Sequence, residues 1–184
     1  MRHLFPILAL AVGLAAAASV HADQTDPRLE PLFQELKNAS DPNEVGAAEQ
    51  AIWGIWMESG NEEVDQLLRQ GSIYMQMQSF DAALSHFNAV IEAKPDFAEG
   101  WNKRATLYYL MGEYQRSIAD CEKTLALEPR HFGALFGLGL LYTHLDDEPK
   151  AIDALERALK LHPHLQNVPE IIERLKAKLK SNEI

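Results

Sequence analysis

An all-α fold, a solenoid of stacked helical hairpins, follows from three observations on the sequence. Pro95, Pro129 and Pro163 stand 34 residues apart in both intervals. The segments they close match column by column, with Leu67, Trp101 and Leu135 in one column, Gly71, Ala105 and Gly139 in the next and Tyr74, Tyr108 and Tyr142 in a third. Large and small residues recur at intervals of three, four and seven, which is the period of a helix and not of a strand. A unit of this length cannot bury its own apolar face and must stack on a neighbour, so function is expected to lie in a surface.

At the start, Arg2 and His3 precede an apolar run from Leu4 to Val20, and Val20-His21-Ala22 has the small-residue spacing of a signal-peptidase site. This pattern predicts a secretory signal peptide over residues 1–22, with the mature chain beginning near Asp23. A retained membrane anchor is the alternative, because the run is near the lower length limit of a spanning helix. Residues 23–61 are expected to form a helical hairpin. Asp26-Pro27 and Asp41-Pro42-Asn43-Glu44 both pair a capping carboxylate with a proline at the first helical position. Helices are therefore expected near 27–38 and 42–58, the second carrying a stripe of Val45, Ala48, Ile52, Ile55 and Trp56 and stopping at Ser59-Gly60. Trp53 and Trp56 share one face of it. They are expected to cover the flank of the first repeat, as terminal units of solenoids must, or else to form an aromatic patch for a partner.

The repeats fill residues 62–163, as units 64–97, 98–131 and 132–163. In each, the tyrosine helix is followed by a second helix whose stripe begins at Ala83, Ser117 and Ala151, continues at Phe87, Cys121 and Leu155, and ends at Val90, Thr124 and Ala158. Proline then closes the unit, since it lacks an N–H and disfavours helical geometry in the residue before it. This set of columns resembles the tetratricopeptide repeat over 102 residues (3 × 34), most closely from Ala98 to Pro129. The resemblance implies a right-handed solenoid of three units. Departures are mild: Cys121 stands where an aromatic is usual, Thr124 is larger than the usual alanine, and the first unit has no glycine at its inter-helix turn.

Residues 164–184 are expected to form a capping helix, opened by Asn167-Val168-Pro169-Glu170. Ile171, Ile172, Leu175 and Leu179 form its apolar stripe, and Arg174, Lys176, Lys178 and Lys180 occupy the rest. The cations suit the negative end of the helix dipole. Asp146-Asp147-Glu148 marks a turn too short to wrap a calcium ion.

Composition narrows the function. The formal charge is −10, and removing residues 1–22, which hold one basic and no acidic residue, makes it −11 (−10 − 1). Such a chain lacks the basic face that nucleic acid or an anionic bilayer requires, so neither is an expected partner. The single cysteine cannot form an intramolecular disulfide, and its column predicts burial. Export, no disulfide and high alanine content point to the periplasm of a Gram-negative bacterium, with a eukaryotic secretory origin as the alternative. Phosphate-loop, nucleophile-elbow and His-Glu-x-x-His motifs are absent, and His162-Pro163-His164 is the only tight histidine pair. No catalytic residue, cofactor or metal site is therefore expected.

The resemblance implies that an extended peptide or protein segment binds along the concave surface, lined by the second, fifth, ninth, twelfth and thirteenth residues of each unit. Here these are Asp65, Leu68, Ser72, Met75 and Gln76, then Glu99, Asn102, Thr106, Tyr109 and Leu110, then Gly133, Phe136, Leu140, Thr143 and His144. Leu68, Ser72, Met75, Asn102, Thr106, Tyr109, Phe136 and Leu140 are the expected binding residues, pairing apolar anchors with amides and hydroxyls. The clamp with which some family members hold an acidic tail needs Lys, Asn and Arg where Leu68, Ser72, Gly133 and Gly137 stand, which excludes that ligand. The function expected is a non-enzymatic adaptor or scaffold of the cell envelope. Two alternatives are a spacer that self-assembles through the Trp53 and Trp56 face, and a hydrolase without a recognised motif.

Overall fold

A computed structural model describes residues 24–182, and the expected signal peptide lies outside them. All the regular elements described are helices: α1 (Leu29–Asn38), α2 (Pro42–Trp56), α3 (Glu62–Gln76), α4 (Phe80–Ala93), α5 (Ala98–Leu110), α6 (Tyr114–Leu127), α7 (Phe132–His144), α8 (Glu148–Leu161) and α9 (Val168–Asn182). None is long and apolar enough to cross a membrane. Helices α3 to α8 form three antiparallel hairpins, with α4 against α5, α6 against α7, and α9 closing the array on α8.

The column of small residues sets how closely each pair of helices approaches. A Cβ on Gly71 would stand 2.6 Å from Phe87 Cε1, and one on Gly139 would stand 2.4 Å from Leu155 Cδ2. The middle unit carries Ala105 in this column and faces it with the small Cys121, both in one buried cluster. Volume is thus traded across each hairpin, with glycine opposite a large side chain and alanine opposite a small one.

The inter-helix turns repeat as closely. Gln78, Gly112 and Asp146 occupy equivalent places and all have positive φ, at 59°, 75° and 55°. Each N–H bonds a carbonyl three residues back, so the left-handed residue ends one helix and reverses the chain into the next. Glycine takes this geometry freely only in the middle unit.

The N-terminal hairpin does not sit where the sequence suggested. Asp41 caps α2 by accepting the Asn43 N–H at 2.7 Å. Asp26 does not cap α1, which starts at Leu29; its carboxylate accepts the Arg28 N–H at 2.8 Å and pairs with the Arg28 guanidinium. Trp53 and Trp56 do not cover the flank of the first repeat. They pack where the second unit passes to the third: Trp56 stacks on His131 with ring centroids 4.1 Å apart, and Trp53 meets Phe132 edge-on at 5.4 Å. Phe33, Ile52 and Leu161 complete this cluster, and Arg130 lies over the Phe33 ring. Trp56 is 1% exposed and Trp53 is half-buried, so the indole pair is used mainly inside the molecule.

At the other end Val168, Ile172 and Leu175 of α9 cover Ala151 and Leu155 of α8. Lys178 pairs with Asp146 and Glu148, so the acidic turn of the third unit anchors the capping helix.

Candidate functional site

Five of the eight expected binding residues come together. Asn102, Thr106 and Tyr109 from α5 and Phe136 and Leu140 from α7 line one cavity of about 310 Å³, open to the concave face. They share it because residues one and two turns apart on parallel first helices face the same side. Ser117 and Cys121 of α6 reach it from beneath, and Gly133 and Gly137 contribute backbone but no side chain to its α7 wall. A Cβ on Gly137 would meet only Cys121 Sγ, at 3.6 Å. The missing side chain at Gly137 opens the cavity down to the sulfur. Burial and nearby carboxylates push the Cys121 thiol up to about 12, so it acts as apolar floor and not as a nucleophile.

The polar groups around the cavity are held in place. The Thr106 hydroxyl donates to the Asn102 carbonyl at 3.0 Å, and Tyr109 Oη bonds His144 Nε2 at 2.8 Å. Tyr114 stacks on the same imidazole at 5.2 Å, which fixes the aromatic end of the groove. Asn102 Nδ2 donates to Glu99 Oε2 at 2.9 Å, leaving its amide oxygen to accept a ligand N–H.

The other three expected residues are elsewhere. Leu68 is fully buried, in a cluster with Phe87 and Phe97, and no ligand can reach it. Met75 packs against that same cluster, and the Ser72 hydroxyl donates to the Leu68 carbonyl at 2.8 Å. The first unit therefore adds little to the cavity.

Glu99, also a lining position, is 1% exposed and belongs to a cluster the sequence did not reveal. His131 Nδ1 accepts the Ala134 N–H at 3.1 Å, so Nε2 carries the proton and donates to Glu99 at 3.0 Å. Lys103 Nζ stands 3.1 Å from the other carboxylate oxygen. Burial pushes the Glu99 carboxyl up, but Lys103 and His131 outweigh it and hold the group below the ordinary carboxylate range. Trp53 closes this end of the groove, its ring edge where a Cβ on Gly133 would lie, 2.7 Å away. Glycine at two lining places, Gly133 and Gly137, was the one signal in the sequence for both the hairpin contact and the cavity.

A second cleft, between α2 and the loop after α8, holds His162 and His164 beside Glu49. His162 Nε2 is 3.5 Å from Glu49 Oε2. Among the described residues no group of three His, Cys, Asp or Glu side chains has the arrangement to hold a metal ion.

The tetratricopeptide repeat profile matches residues 68–126 and 103–165, more than half of the chain. The chain belongs to the tetratricopeptide repeat family. A tetratricopeptide repeat protein of Rhizobium etli is 36% identical over 132 residues, covering 72% of this chain and 65% of that protein. The cattle SGT1 homologue is 31% identical over 94 residues, covering 51% of this chain and 28% of that protein. The chain thus spans under two thirds of the length of these curated relatives. Among solved structures, the first tetratricopeptide domain of Spaghetti (RPAP3), bound to the HSP90 peptide SRMEEVD, superimposes with a TM-score of 0.62 at 20% identity, covering 65% of this chain and 94% of that one. The Yersinia enterocolitica secretion chaperone SycD, in complex with a peptide of the translocator YopD, gives a TM-score of 0.61 at 15% identity, covering 64% and 95%. At such identities the likeness is one of tetratricopeptide repeat fold.

Proposed function

We propose that this chain is a non-catalytic adaptor that holds a segment of another protein in its concave groove, with one bulky apolar side chain of the ligand seated between α5 and α7. The observation that carries this reading is the cavity itself, walled by Phe136, Leu140, Leu141 and Tyr109 and opened by Gly137. The Asn102 amide oxygen and the Thr106 hydroxyl at its rim are suited to the ligand backbone. Neighbours of this fold whose structures contain a peptide support the use of the surface. The absence of a lysine or arginine at Gly133 and Gly137 disfavours an acidic-tail ligand. The apolar run and Val-x-Ala site at the start of the sequence support a place in the periplasm or another exported compartment.

The test is selection from a peptide display library. Sequences that bind should share one large aliphatic or aromatic residue at a fixed place. Gly137→Leu should fill the cavity and weaken those peptides by more than about tenfold, on the scale of losing one buried anchor, with unchanged helicity by circular dichroism. Equal affinity for Gly137→Leu, or selected peptides rich only in acidic residues, overturns the reading.

A further inference from the structure

The first unit carries a second surface, on its side away from the groove's cavity. Leu107 of α5 and Leu141 of α7 are 0% and 1% exposed, because each is covered by the second helix of the unit before it. Their equivalent on α3 is Ile73, which is 54% exposed, and Met77 one turn later is 67% exposed. The N-terminal hairpin, docked instead near His131 and Phe132, leaves this flank open.

We propose that this flank of α3 is a pairing surface for a second copy of the chain, related by a twofold axis. Three considerations select that occupant. Ile73, Met77 and Tyr74 are three of the five exposed large hydrophobics among the described residues, so the best apolar complement the protein has for this face is the same face on another copy. The stripe from Gln66 through Gln70 and Ile73 to Met77 has no formal charge, whereas the chain carries −10. Two such acidic molecules repel wherever carboxylates meet, and this stripe lets them approach without that repulsion. Helix α9 covers the far end of the array, so one array cannot stack head-to-tail on the next, and a closed pair with Ile73 against its own counterpart remains. The contact is one helix wide, at the low end of stable interfaces, so the pair forms in a concentration-dependent way.

The experiment is sedimentation equilibrium of the full chain from about 10 µM to about 1 mM, the range in which contacts of this size dissociate. The average mass should climb from the monomer value towards twice that value. Ile73→Glu with Met77→Glu should remain monomeric throughout with unchanged helicity, and Leu145→Glu should pair like the parent. Under oxidising conditions Ile73→Cys should give a disulfide-linked dimer and Leu145→Cys should not. A monomeric mass up to the highest concentration overturns the proposal, as does pairing that survives both glutamates. The Gly137→Leu variant separates this surface from the groove, because it should pair normally whatever becomes of peptide binding.

Discussion

Replacing Gly139 with alanine tests the account of how the hairpins pack. Alanine is the better helix former by about 1 kcal/mol, so on propensity alone the substitution stabilises. The added methyl would lie 2.4 Å from Leu155 Cδ2 and 2.5 Å from Leu155 Cγ, more than 1 Å inside a normal carbon contact of about 3.5 to 4.0 Å. Leu155 is fully buried and has nowhere to turn, so either its rotamer is forced or α7 and α8 part. Overpacking of this kind costs about 1–3 kcal/mol, which leaves a net loss of up to about 2 kcal/mol once the propensity gain is subtracted. Leu155→Cys alone should lose stability by leaving a void. Added to Gly139→Ala, it reproduces the alanine and cysteine pair of the middle unit, and the double variant should be at least about 0.5 kcal/mol more stable than the two single effects summed. Urea unfolding followed by circular dichroism measures all four proteins. Stabilisation by Gly139→Ala, or strict additivity in the cycle, would show that the glycine does not set the α7 to α8 spacing.

Two further outcomes are expected. Gln78→Gly relieves a left-handed residue with φ 59° and should raise stability by up to about 1 kcal/mol in the same urea assay, whereas loss of stability would show that Gln78 is not strained. His162 is buried, and that burial holds its pKa below the ordinary 6.5, with Glu49 opposing the shift and His164 adding to it. The unfolded chain therefore takes up the proton more readily, so this contribution to stability is intact above about pH 7 and is lost as pH falls through 6.5 towards the folded-state pKa. The urea midpoint should drop between about pH 7.5 and 5.5, and the drop should be smaller in His162→Gln; an equal drop in both assigns the pH dependence elsewhere.

The array was legible because its signal is written three times. A column holding Tyr74, Tyr108 and Tyr142, or Gly71, Ala105 and Gly139, is fixed by packing between neighbouring helices, and packing of this kind repeats with the sequence. That Asn102, Thr106, Tyr109, Phe136 and Leu140 face the same side was legible for the same reason. Leu68 was not, since its column also holds Asn102 and Phe136, and only the local neighbours Phe87 and Phe97 decide that the leucine turns inward. Glu99 was misplaced because its burial depends on His131, 32 residues away, and on the hairpin that covers both. The hairpin has no repeat columns, so nothing periodic told where it docks. Its docking is a matter of surface fit, of Trp56 against His131 and of Trp53 against a glycine.

Gly133 and Gly137 stand one turn apart on the same helix and show how one residue type can serve two ends. At Gly133 the vacancy is taken by Trp53, whose ring edge lies 2.7 Å from where a Cβ would be. At Gly137 a Cβ would meet only the cysteine sulfur, and the vacancy stays open as part of the cavity. Leu141, one turn further, is 1% exposed and closes the cavity at its far side. The seated indole therefore marks where the groove ends, and the unfilled glycine marks where a ligand side chain fits. The hairpin shapes the groove without lining the cavity: by occupying the first vacancy it confines a ligand to the second. The short groove left by three repeats thus has one deep anchor point, and specificity is expected to rest on the side chain placed there more than on the length of segment bound.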